Sequence, residues 1–128
     1  KRFSRNPSTA FSFAEGTRFS QFKHLEQQSP YPNLLKPKVG ALSIALSGMP
    51  EVKTLIDFTI VYSSNKRTAW QFLCGDLNKA KIIAKTYKIP KNLQSYTYEN
   101  KSEYRKQFQL FIDEIWQKKQ SMISELKL

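Results

Sequence analysis

Four consecutive residues, Glu15-Gly16-Thr17-Arg18, set a carboxylate, a hydroxyl and a guanidinium around one glycine. Gly16 allows the backbone to turn sharply and approach a ligand closely. Arg18 offers a planar fork matched to phosphate oxygens, with the Thr17 hydroxyl beside it. Glu15 can hold Arg18 in place or accept a hydrogen bond from a ligand hydroxyl. Further along, Lys36 and Lys38 flank Pro37, which stiffens the loop that carries them. Together these residues suit an anionic, phosphate-bearing ligand. Taken alone, the four residues read better as a strand-ending turn with a surface ion pair, and the two lysines read equally as solvated surface.

Other reactive side chains offer less. His24 is the only histidine, and no aspartate follows at a spacing that would orient it, since Ser29 stands there. A general base needs such a partner, so His24 reads as a loop residue, and one histidine makes no zinc set. Cys74 is the only cysteine and has no histidine near it in sequence, which makes it a small core residue. It allows no intrachain disulfide and fits a reducing, cytosol-facing location.

The elements that must position these groups follow from hydrophobic pattern. Residues 1–8 are basic and polar, with a turn at Asn6-Pro7-Ser8. Thr9 to Phe13 predicts a short buried strand ending at Gly16. Arg18 to Lys38 reads as a polar loop whose Ser29-Pro30-Tyr31-Pro32 segment resists helix. Gly40 to Met49 predicts a short buried helix stopped by Pro50. Thr54 to Tyr62 is β-branched and aromatic, apolar on both faces, and predicts a central strand in a covered sheet. Ser63 to Arg67 reads as a polar turn and Ala69 to Cys74 as the strand that pairs back across it. Lys81 to Tyr87 suits either state, and Pro90 favours strand. Lys101 to Leu126 predicts an amphipathic helix, with Tyr104, Phe108, Phe111, Ile112, Ile115 and Ile123 on one stripe. The order predicts one α/β domain with a mixed sheet and a long amphipathic C-terminal helix, resembling the C-terminal half of such a domain.

Composition narrows the class. A chain of 128 residues with 40% hydrophobic content can bury a core. The net charge of +11 is spread along it, +5 over residues 1–38 and +6 over residues 39–128. That field draws in phosphates on nucleic acid, anionic lipid or a small substrate. The longest uncharged apolar-rich run, residues 39–50, is too short to span a bilayer.

Phe13-Ala14-Glu15-Gly16-Thr17-Arg18 resembles the Phe-Pro-Glu-Gly-Thr-Arg motif of the glycerolipid acyltransferases, the family of lysophosphatidic acid acyltransferase, at five of six positions. Arg18-Phe19-Ser20 and the Lys23-His24 pair continue the likeness. Leu35-Lys36-Pro37-Lys38-Val39-Gly40 resembles the Leu-Pro-Lys/Arg-Thr-Lys-Gly segment of one branch, and Asp57-Phe58-Thr59 resembles that branch's Asp-x-Thr strand. The likeness covers most of residues 9–75 and, more loosely, the helix around Trp116. It implies that Glu15, Gly16, Thr17, Arg18, Lys36 and Lys38 help bind the glycerol-phosphate of a lysophosphatidate-like acceptor. It also implies an acyl thioester donor (acyl-CoA or acyl carrier protein), no other cofactor, and a parent 1-acylglycerol-3-phosphate O-acyltransferase in phospholipid synthesis.

Two departures stand out. Ala14 replaces the motif's proline, and the His-x-x-x-x-Asp motif of the family's catalytic pair occurs nowhere in the chain. With no methionine at its start, the chain reads as residues 1–128 of the C-terminal portion of one acyltransferase domain, inactive alone. The catalytic pair would then lie upstream, and the parent would sit at the cytoplasmic face of a membrane, in bacteria the inner one. A truncated sheet would favour self-association. Two further readings compete: a small basic domain binding nucleic acid or anionic lipid without catalysis, and a peripheral lipid-binding protein whose site has decayed. Neither a helix-turn-helix, a zinc-finger spacing nor an RNP-like motif supports nucleic acid.

Overall fold

A computed structural model describes residues 9–62, 68–75, 79–94 and 101–126. The expected turns at 6–8 and 63–67 lie outside these residues. In chain order the elements are α1 (Gln21–Glu26), α2 (Gly40–Ser47), β1 (Thr54–Tyr62), α3 (Ala69–Leu73), β2 (Ala80–Lys88), a single 3-10 turn (Lys91–Leu93) and α4 (Lys101–Glu125). The fold is thus mixed α/β, with a two-stranded antiparallel sheet and a long C-terminal helix.

β1 and β2 pair over their whole length, from Thr54 opposite Lys88 to Tyr62 opposite Ala80. α4 packs against β1, α2 and the 3-10 turn. Its buried stripe runs through Tyr104, Phe108, Ile112, Ile115 and Trp116, and Leu34, Leu46, Ile89 and Leu93 close the core around it. Phe108 is fully enclosed, and burying a side chain of this kind contributes about 1.5–3 kcal/mol.

The expected strand at Thr9–Phe13 is absent. The segment is irregular and pairs with no strand among the described residues, and Phe11 and Phe13 are exposed. The loop of residues 18–38 holds a helical turn after all, because the Ser20 hydroxyl accepts from the Lys23 N–H and caps α1. α2 forms as expected but buries only Ser43 and Leu46, leaving Ile44 exposed.

Ala69–Cys74 is not a strand. Thr68 and Gln71 form a reciprocal capping box that starts α3. β2 takes the place of hairpin partner. Cys74 caps the end of α3 and is exposed rather than core.

Nor is β1 covered on both sides. Asp57, Thr59 and Val61 are buried beneath α4, whereas Ile56, Phe58, Ile60 and Ile82 on the outer face remain 45–63% exposed. One helix layer can cover only one face, and α4 selects the face with the carboxylate because it brings that carboxylate a cation, described below.

Burial disfavours the ionisation of two tyrosines. Desolvation, reinforced by Asp113, pushes Tyr31 above its ordinary value of 10.0. Desolvation, then Asp57 and Glu114, does the same for Tyr87, with Lys118 opposing. Both groups hold their protons more tightly folded than unfolded. Their contribution to stability is therefore fully present below pH 10.0 and is lost as pH rises through the higher folded values. A tyrosinate absorbance titration is expected to lose part of its late component in Tyr31→Phe and again in Tyr87→Phe. A late component unchanged by either substitution would refute this.

Candidate anion-binding site

The Glu15–Arg18 turn and the Lys36–Lys38 loop lie against each other. The Gly16 N–H donates to the Phe13 carbonyl at 2.8 Å, closing the turn, and Gly16 itself has φ +68°. Such a left-handed angle favours glycine. The Lys38 N–H donates to the Ala14 carbonyl at 2.6 Å. Across the gap, the Leu35 N–H donates to Glu15 Oε2 at 3.3 Å. Glu15 therefore serves as a clasp between the two segments, whereas the sequence reading had it hold Arg18 or accept a hydrogen bond from a ligand hydroxyl.

The cations gather on this clasp. The Lys38 side chain lies across Gly16 so closely that a Cβ there would stand 3.2 Å from its Cδ and 3.7 Å from its Nζ. Lys23 Nζ donates to Thr17 Oγ1 at 2.6 Å. Arg18 is exposed and forms no hydrogen bond or ion pair among the described residues, which leaves its fork open to solvent. Lys36 is exposed on the same loop, with Pro37 buried beside it. The structure thus joins Gly16, Thr17, Lys38 and the previously unassigned Lys23, with Glu15 beneath. Lys36 is carried on the loop without a described bond to the turn. Lys23 was readable only as half of the Lys23-His24 pair.

His24 sits in α1 rather than in a loop. Its Nε2 faces the Tyr31 carbonyl at 2.8 Å. A carbonyl only accepts, so Nε2 carries the proton and pins the loop. Nδ1 is buried without a partner. No carboxylate among the described residues orients the ring, and it ties Tyr31 to α1.

The clasp is anchored to the core through Leu35. Trp116 Nε1 donates to the Leu35 carbonyl at 3.1 Å, and the Lys119 ammonium lies 5.0 Å from the Trp116 ring centre. Lys119 Nζ then meets Asp57 Oδ1 at 2.7 Å and donates to the Phe58 carbonyl at 3.0 Å, while the Thr59 hydroxyl donates to Asp57 Oδ2 at 3.3 Å. Contacts therefore run from the turn through α4 to β1. Chemically, this arrangement holds two ammonium groups, a guanidinium, a hydroxyl and a tightly turned backbone near one another, the equipment for binding a phosphate monoester. No family model, curated protein or solved structure matches the chain.

Proposed function

We propose that this chain supplies the acceptor phosphate-binding part of an acyltransferase that moves a fatty acyl group from acyl-CoA or acyl carrier protein to lysophosphatidate. The observation that carries the reading is the clasp itself: Glu15 and Gly16 hold the Lys36–Lys38 loop against the turn that bears Thr17 and Arg18. In this reading Arg18 and Lys38 bind the acceptor phosphate, Lys36 adds long-range attraction, and Thr17 is positioned by Lys23. Their part in the reaction is to fix the acceptor hydroxyl against the thioester, which lowers the barrier by pre-organising the reactants. A histidine base paired with an aspartate would be supplied by an upstream portion of the same domain. The parent works in phospholipid synthesis at the cytoplasmic face of a membrane; no helix among the described residues is long and apolar enough to cross one.

Arg18→Ala in the intact enzyme is expected to raise the KM for lysophosphatidate about tenfold, the loss of one exposed charge-assisted contact. The KM for the acyl donor should stay unchanged. Equal increases for both substrates would reduce Arg18 to a structural role and remove the reading's main support.

A further inference from the structure

We infer that the outer face of the β1–β2 sheet is a docking surface for a second copy of this chain, the two sheets packing face to face about a two-fold axis. None of the residues involved belongs to the anion clasp. The register places five pairs on this face: Thr54 with Lys88, Ile56 with Thr86, Phe58 with Ala84, Ile60 with Ile82, and Tyr62 with Ala80. All but Tyr62 are exposed, and Ile56, Phe58, Ile60 and Ile82 are 45–63% open. α4 packs on the opposite face, where Lys119 holds Asp57. A contiguous apolar face left open in this way marks an interaction site.

Charge, shape and area identify the occupant. Lys81 and Lys85 stand opposite Val61 and Asp57 and so alternate onto the α4 side of the sheet. Of the ten outer-face residues only Lys88, at one end, carries a charge. A bilayer or a nucleic acid would find there a single cation to meet its phosphates, whereas a second copy brings the same uncharged surface. The shape is self-complementary. β1 presents Ile56, Phe58 and Ile60 as a ridge, and β2 sets Thr86, Ala84 and Ala80 around Ile82 as a trough beside it. A two-fold axis along the strands turns the second sheet over and lays each ridge above the other copy's trough, Phe58 over Ala84 in both directions. Four side chains of about 150–200 Å² each, roughly half open, offer on the order of 400 Å², and their smaller neighbours raise this to about 600 Å² per copy. Both copies together would bury about 1,200 Å², the lower end of the range for specific interfaces. The dimer is therefore weak. Each chain carries +11, so salt that screens this repulsion tightens the dimer, the reverse of its effect on a phosphate-bearing partner.

Sedimentation equilibrium of the full chain tests this, with reductant present because Cys74 is exposed. A monomer–dimer equilibrium is expected at concentrations up to about 1 mM, shifted toward dimer by salt. Phe58→Ala should weaken the dimer about tenfold or more, since the ring is lost from both copies. Phe58→Ala combined with Ala84→Phe exchanges ridge and trough and should recover most of the affinity. Both positions are exposed, so circular dichroism should not change. A monomer throughout the range would overturn the inference. So would a dimer indifferent to Phe58→Ala, which would place the contact elsewhere, or an exchanged variant no tighter than Phe58→Ala alone. A monomeric chain that binds phosphatidylglycerol vesicles, and loses them with Phe58→Ala, would overturn it by giving the face to a bilayer. Arg18→Ala should dimerise like the parent chain, so failure of the acceptor reading and failure of this one are separable.

Discussion

Lys119→Met is expected to destabilise the fold by about 3–5 kcal/mol, the cost of leaving a buried carboxylate without its cation. Asp57 and Lys119 are 9% and 11% exposed at the side chain and meet at 2.7 Å. The ammonium also donates to the Phe58 carbonyl, and Thr59 completes the carboxylate's bonds. Against a typical total of about 5–15 kcal/mol, the single substitution should bring the chain close to unfolding. Asp57→Leu combined with Lys119→Met should recover most of the loss, because an apolar pair of similar volume avoids the desolvation that the ions suffer. Urea unfolding of the two single variants and the double variant measures this as a coupling energy. A double variant as unstable as the sum of its parts would show that the ion pair is incidental. Trp116 stacks against the same ammonium and holds Leu35. Lys119→Met should therefore also loosen the clasp, weakening phosphate binding at a distance from the turn.

That ion pair shows where sequence reading reaches and where it stops. β1 was readable to the residue because all of its nine positions except Leu55 and Asp57 are β-branched or aromatic. α4 was readable because its apolar stripe persists from Tyr104 to Ile123, about five turns of helix. Lys119 was missed because a lysine is assumed to be solvated. Two signals could have revealed it: it continues the Ile112–Ile115–Trp116 stripe toward Ile123, and β1 holds one lone aspartate. α3 was misread because an apolar run as short as Ala-Trp-Gln-Phe-Leu has no usable period. The capping pair Thr68 and Gln71 was the better guide. The Thr9–Phe13 error is of another kind. Alternating Phe11 and Phe13 satisfy a strand pattern, but a strand exists only where a neighbour offers its hydrogen bonds. For the candidate site, residue types pointed to an anion and to the two segments that the Glu15 clasp joins. The clasp through Glu15 depends on tertiary placement of Leu35, which nothing local in the sequence encodes.

Gly16→Val should damage both the turn and the binding of phosphate, and Gly16→Asn should separate the two effects. At φ +68° a β-branched residue is an outlier, with a strain of about 1–3 kcal/mol. Asparagine enters that region with less difficulty, so its loss in urea stability should be clearly the smaller. Either side chain places a Cβ 3.2 Å from Lys38 Cδ, so the lysine side chain must give way by a few tenths of an ångström in both variants. If Lys38 grips phosphate from across Gly16, glycerol 3-phosphate should bind each variant about tenfold or more weakly, as expected for one charge-assisted bond. Calorimetric titration of the full chain would measure that. An asparagine variant that binds like the parent chain would show that the position of Lys38 over the glycine is packing alone. Phosphate recognition would then fall to Arg18, with Lys23 holding Thr17 beside it. Weak binding by both variants, with stability lost only in the valine form, would instead assign Gly16 two separate duties: bending the chain, and leaving room for an ammonium group above the bend.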